Sequence, residues 1–260
     1  RWGASTLETP HHQIETARPL RSFAHMRAAH TGVMTSVVAE VLGSDFSRLH
    51  PKVQWRFGLQ SSDNLAQFGV GVMEEMTHSR LVPPPLLWAG RKRGLFPAGI
   101  GKDVPFTIAN YAYVDELGRE TLSFVRRFAF AGRPQGMNSV MVSSAESDTY
   151  ALDYLGFSSD MVVHTRCEVD ADGGLVLESE VPRFLLGPLA PKLPKVASAV
   201  TIGREWWDAV EERHRIEIEV KSPVLGQLFL YRGWFTAEER PCLTADIPGD
   251  ARPRSVESRE

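Results

Sequence analysis

At 260 residues, 43% of them hydrophobic, the chain is long enough to bury a substantial core and short enough to be one large β domain. The 29 Lys and Arg against 32 Asp and Glu leave a formal charge of −3, so no chain-wide basic field draws the protein onto nucleic acid or an anionic membrane. Two cysteines, Cys167 and Cys242, lie far apart without a Cys-x-x-Cys, which excludes a disulfide framework and a zinc knuckle and fits a reducing cytoplasm.

Residues 1–33 carry Thr9-Pro10-His11-His12 and scattered Arg and His without sustained apolar periodicity, and they read as a partly disordered extension with no secretory signal. Met34 opens the first patterned segment and is a candidate start of the domain. Met34, Val37, Val38, Val41 and Leu42 follow the spacing of one helix face, and Gly43 can end that helix. Residues 44–51 read as a capped turn into a second short helix, with His50 bonding locally before Pro51.

From Gln67 onward the apolar period changes to two. Candidate strands are 67–78, 106–115, 120–130, 138–144, 150–157, 161–170, 175–184, 214–221 and 228–236. Turns such as Glu116-Leu117-Gly118 and Asp170-Ala171-Asp172-Gly173-Gly174 keep the connections at hairpin length. Nine strands joined so locally predict an antiparallel meander that curls into a closed or half-open barrel of the calycin or lipocalin kind, with helices at its front. One inserted helix is expected at 197–212, where Trp206, Val210 and Arg213 share a side, after a Pro-rich crossing loop at 185–194. The basic turn Gly90-Arg91-Lys92-Arg93-Gly94 reads as an exposed hairpin tip. The domain is expected to span 34–240, with a Pro-rich, charged and disordered tail at 241–260.

Apolar runs such as 33–42 and 81–89 are too short to cross a bilayer, so integral membrane association is not expected. Gly69-Val70-Gly71 lacks the third glycine and the following helix of a dinucleotide loop, and the chain has no P-loop, no G-x-S-x-G and no H-E-x-x-H. The histidines His11, His12, His25 and His30 match no zinc spacing. No metal and no cofactor are expected.

Charge on otherwise apolar strand faces marks the candidate site. Arg126 shares its face with Leu122, Phe124, Phe128 and Phe130, and Arg232 shares its own with Leu228, Leu230 and Trp234. A buried guanidinium needs a carboxylate, carbonyls or a bound anion to offset several kcal/mol of desolvation. One reading makes both arginines structural ion pairs or solvent-facing. The sharper one is an apolar pocket in which Arg126, Tyr113 and Asp115 act on a substrate while Tyr111, Phe124, Phe128, Arg232, Trp234 and Trp206 bind it. Trp206 and Trp207 could cap the cavity mouth or be core and rim. His164 is a base by residue type, on a face that alternates like a solvated one.

The ordered strings Val41-Leu-Gly-Ser-Asp-Phe-Ser-Arg-Leu-His-Pro51, Gln54-Trp-Arg-Phe-Gly58, Asn110-Tyr-Ala-Tyr-Val-Asp115, Gly118-Arg-Glu-Thr121 and Tyr231-Arg-Gly233 resemble a bacterial family of unknown function. The resemblance covers residues 34–236 and carries over no catalytic residue. It implies a bacterial metabolic setting, with members that stand alone or are fused to reductase-like or membrane proteins. The functional expectation is a cofactor-independent cyclase or isomerase of specialised metabolism, holding a hydrophobic substrate in the barrel as a monomer or homodimer. The alternatives are a non-catalytic carrier of a hydrophobic small molecule or lipid, and an accessory interaction domain.

Overall fold

The structure is a computed structural model that describes residues 35–185, 189, 191 and 199–260. The extension, most of the crossing loop and the four N-terminal histidines lie outside the described residues.

Two short helices, α1 (Val37–Leu42) and α2 (Pro51–Phe57), flank a 3-10 segment at Gly43–Arg48. Ser36 caps α1 by accepting from the Ala39 N–H, and His50 caps α2 by accepting from the Lys52 N–H through Nδ1. Pro51 starts α2, where its missing N–H costs nothing. Ten strands follow: β1 (Leu65–His78), β2 (Gly101–Val114), β3 (Glu120–Phe130), β4 (Arg133–Ser143), β5 (Ala151–Leu155), β6 (Met161–Val169), β7 (Leu175–Phe184), β8 (Val200–Asp208), β9 (Arg213–Ser222) and β10 (Gly226–Pro241). Each pairs antiparallel with its neighbours in sequence, and β1 pairs with β10, so the meander closes into a barrel. This is the calycin-like architecture expected from the period of two.

The inserted helix exists, but it is α3 (Pro84–Arg93), between β1 and β2. The basic run expected at a hairpin tip forms its last turn instead, and Gly94 ends it with a positive φ of 69°. The segment expected to be helical contains β8, which brings the strand number to ten. Sheet pairing on both sides overrides the helical spacing of Trp206, Val210 and Arg213.

Closure needs unusually close backbones at the seam. A Cβ on Gly71 would lie 1.9 Å from the Trp234 carbonyl oxygen, and one on Gly233 would lie 2.1 Å from that of Val72. Only glycine fits there. A register shift between Met73 and Glu75 then re-phases β1, so that Met73 and Met76, three apart, both enter the core.

The interior fills in two layers. Toward the α3 end, Phe106, Phe128, Phe229 and Tyr231 pack ring against ring at 5.2 to 5.8 Å. Toward the other end, Val37, Val38, Leu49, Val53 and Phe57 of the front helices close the barrel like a stopper.

Residues 241–260, expected to be a disordered tail, carry two 3-10 turns and lie along the outside of the barrel. The Ser123 hydroxyl donates to the Ala251 carbonyl, Asn138 to that of Asp250 (2.7 Å), Arg119 to that of Glu257 (2.8 Å), and Ser159 to that of Ser255 (2.9 Å). Ile247 and Ala251 bury their side chains against Tyr111, Tyr113 and Val125. Barrel side chains that satisfy this backbone outweigh its disorder-prone composition.

Candidate functional site at the capped mouth

The parity of the strands separates the nine expected site residues. Phe124 and Phe128 point inward as core, and Arg126 lines an interior chamber beside Phe57, Ile108, Leu177 and Ile216. Tyr111 and Tyr113 face outward beneath the tail. Asp115 organises the β2–β3 hairpin: its Oδ1 accepts from the N–H groups of Leu117 and Arg119 (both 2.9 Å), and its Oδ2 from Arg119 Nε (2.8 Å). Arg232 is on the outer face, 53% exposed and paired with Glu75 at 2.7 Å. Trp234 lies outside under Arg213, and Trp206 outside under Arg204. The pocket drawn from these nine therefore does not assemble. Inward positions on β10 are Phe229, Tyr231 and Phe235, one residue out of phase with Arg232.

A different polar cluster occupies the mouth. Arg56 of α2 reaches into the barrel and is fully buried. It donates from Nε to Glu205 Oε1 (3.2 Å), from Nη1 to Gln67 Oε1 (3.0 Å) and from Nη2 to Asn110 Oδ1 (3.2 Å), with the Phe235 ring 5.2 Å away. Gln67 in turn donates to the Trp55 carbonyl (2.9 Å). Four elements thus meet on one guanidinium, and α2 is pinned by its charge as well as its apolar face.

The same Oε1 of Glu205 lies 3.3 Å from Nδ1 of His214, on the neighbouring strand β9. Burial pushes the Glu205 carboxyl up, but the Arg56 charge and the nearby His214 outweigh it, and the group stays below the usual carboxylate range. The 3.3 Å approach is a contact of ion-pair distance and not an aligned hydrogen bond, since His214 Nδ1 has no hydrogen-bond partner among the described residues. The His214 ring stacks on Phe235 (5.1 Å, 10°) and meets Trp207 edge-on (5.1 Å, 79°), which locks its plane.

Above His214 an open cleft of about 390 Å³ lies between α2 and the ends of β8 to β10, lined by Pro51, Lys52, Trp55, Trp207, Glu212 and Thr236 among others. His214 contributes to the floor of this cleft, with its side chain only 2% exposed. Lys52 Nζ sits 5.4 Å from the Trp207 ring, His50 stacks on Trp207 at 6.1 Å, and Trp55 Nε1 donates to Glu239 (2.7 Å). Both indoles are thereby fixed as walls.

Behind Glu205 the chamber lined by Arg126 holds only about 30 Å³, room for a water or two. Arg126 Nε is buried without a hydrogen-bond partner among the described residues, and so are Asp153 Oδ1 and the Tyr231 hydroxyl, both within electrostatic reach of Arg126. Burial raises the Asp153 carboxyl to about 6 despite Arg126 and the Ser139 hydroxyl. Burial, then Asp153, raises the Cys167 thiol to about 12, which disfavours its thiolate. No group of three or more His, Cys, Asp and Glu among the described residues is placed to hold a metal ion.

The sequence reading missed Arg56, Gln67, Glu205, His214 and Trp55 as site residues, and gave Trp207 only as a candidate cap of the mouth. Arg56 and Asn110 stand in two of the strings quoted above, but that the two meet in space is visible only in the fold.

Barrel, stopper helices and a polar cluster under an aromatic cleft define a closed β-barrel of the calycin type. A family model described as a domain of unknown function (DUF4166) matches residues 49–235, and the chain belongs to that family. The matched span includes Arg56, Glu205 and His214, and it ends before the docked tail. The chain is also similar to an uncharacterized protein, YndH, of Bacillus subtilis (strain 168), at 29% identity over 196 residues, which are 75% of this chain and 94% of the relative. No solved structure gives a significant match. No helix among the described residues is long and apolar enough to cross a membrane.

Proposed function

We propose that the protein binds a small organic molecule with a flat ring in the mouth cleft, between Trp55 and Trp207 and over His214. The observation that carries this reading is an indole-walled cleft of about 390 Å³, within the size range of small-molecule sites, whose floor is a histidine 3.3 Å from a buried carboxylate. The two indoles supply stacking surface, and Lys52 and His214 supply a cation and a ring nitrogen for a polar group of the ligand. A hydrophobic substrate folded wholly inside the barrel is not supported, because the interior chamber beside Arg126 is more than tenfold smaller than the cleft.

The His214–Glu205 pair favours a second reading, a cofactor-independent isomerase. In it, Nε2 takes a proton from a carbon next to a carbonyl and returns it elsewhere, while Glu205 steadies the imidazolium. The test is tryptophan fluorescence and thermal shift against a library of aromatic carboxylates, ketones and phenols. Saturable quenching that weakens at least tenfold in Trp207→Ala and Trp55→Ala supports binding in the cleft. Ligands that bind equally well to both variants would place the site elsewhere. Among the ligands found, turnover lost in His214→Gln with binding retained marks the isomerase, and binding without turnover marks the carrier.

A further inference from the structure

The opposite end of the barrel carries a second feature, independent of the cleft. From Ser79 to Lys102 the chain holds Arg80, Arg91, Lys92, Arg93 and Lys102 and not one acidic residue, in a protein of net charge −3. The same stretch exposes large apolar side chains: Leu81 (63%), Leu86 (49%), Trp88 (59%) and Ile100 (59%). The β9–β10 turn lies beside it, since the Ser79 N–H donates to the Leu228 carbonyl (2.8 Å) and Phe96 packs on Phe229 (6.4 Å), and that turn exposes Val224 and Leu225.

Cations in the last turn of α3 have a local explanation, because they complement the helix dipole. That explanation covers Arg91, Lys92 and Arg93 but not Arg80 and Lys102, which lie outside the helix. Nor does it cover Leu86 and Trp88 facing solvent. The orientation of α3 is fixed at Gly90, where a Cβ would fall 2.2 Å from the ring of Phe96 in the loop that follows the helix, while Trp88 stays 59% exposed. Of the cations, Arg93 is committed to Asp160, and Arg80 and Lys92 are exposed.

We propose that this end of the barrel docks on an anionic lipid surface, with Leu81, Leu86 and Trp88 entering the headgroup layer and Arg80, Arg91, Lys92 and Lys102 meeting lipid phosphates. The charge selects the occupant. An acid-free cationic segment on a chain of opposite net charge is attracted to a negative surface and orients the rest of the molecule away from it. Exposed Trp and Leu amid Lys and Arg suit an interface that is apolar below and phosphate-lined above. Docking by this end leaves the mouth with His214, at the opposite end of the strands, open to solution.

The full chain is sedimented with vesicles of phosphatidylcholine alone and of phosphatidylcholine with 30% phosphatidylglycerol, at about 0.1 M and 0.5 M salt. Expected is binding to the anionic vesicles at low salt, at least tenfold weaker at high salt and on neutral vesicles. Arg91→Glu with Lys92→Glu, and separately Leu86→Ser with Trp88→Ala, each lower the partition at least tenfold with the melting temperature within a few degrees of the parent. No difference between the two lipids, or partition unchanged in the charge-reversed variant, overturns the proposal. So does a failure to bind either vesicle. The salt and lipid comparisons use the parent protein and stand whether or not the variants fold.

Discussion

Replacing Arg56 by methionine tests how the mouth is held. The side chain is 1% exposed, and its three hydrogen bonds go to Glu205, Gln67 and Asn110 at 3.0 to 3.2 Å. Methionine fills similar volume, so the apolar packing under α2 is largely kept and the electrostatic loss dominates. Glu205 is then left buried with His214 as its remaining partner, and breaking a buried ion pair from one side costs about 3–5 kcal/mol. For a protein of this size each kcal/mol lowers the melting temperature by about 2–4 °C, so Arg56→Met is expected to melt roughly 10 °C below the parent. The charge argument makes a sharper statement through a second substitution. Adding Glu205→Gln removes the stranded charge, and the double variant is expected to recover about 2 kcal/mol or more relative to the sum of the single losses. Acid gives an independent check. In the parent, Glu205 lies below its usual range, so its contribution is present above the unfolded value and is lost as pH falls through the folded one. In Arg56→Met that carboxyl is no longer depressed by the guanidinium, so the gap between variant and parent is expected to narrow as pH falls below about 4.5. Urea unfolding followed by far-ultraviolet circular dichroism at pH 7 and pH 4 measures both. A cost under about 1 kcal/mol, or no recovery in the double variant, would refute the account of Arg56 as the electrostatic pin of the stopper.

Gly71→Ala places a methyl where the Trp234 carbonyl oxygen would be 1.9 Å away, so the β1–β10 seam must open; a loss of at least ~3 kcal/mol or insoluble expression is expected, against a small effect for the exposed Gly249→Ala control, where a Cβ meets nothing. Truncation after Cys242 uncovers Tyr113, whose phenol burial raises to about 12; ultraviolet titration at 295 nm is expected to show it moving toward its ordinary value near 10, while a folded, unchanged profile would mean the tail does not cover it. Asp153 sits at about 6 in the folded protein, above its unfolded value, so the folded state holds the extra proton and stability falls as pH rises from about 4 to 6. Asp153→Asn is expected to flatten that fall and to be the more stable protein at pH 7, measured by urea midpoint at several pH values; an equal slope in both proteins would contradict the buried, strained carboxyl.

Much of the fold is legible in the order of the residues, because a half-buried strand writes its two faces as alternation and a hairpin writes its turn in Gly, Asp and Pro. The limits of β3 and β7 and the helices in front of the barrel follow from such local signals. Alternation says which side chains share a face, and that grouping held for Phe124, Arg126 and Phe128 on one side of β3 and for Arg232 and Trp234 on one side of β10. It does not say which face is inside, since an apolar outer face covered by arginines resembles an inner one. On β2 both faces are buried, one in the core and one beneath residues 244–251, so Tyr111 and Tyr113 carry the look of an interior without being in it. The cluster at the mouth was beyond reach for a different reason. Arg56 and Glu205 stand 149 positions apart, and His214 reaches the same oxygen from the adjoining strand. Each looks like an ordinary charge in its own segment. Only barrel closure, which brings α2 over the ends of β8 and β9, makes them one ion-paired group, because the cost of burying each charge is offset by partners that no local pattern announces.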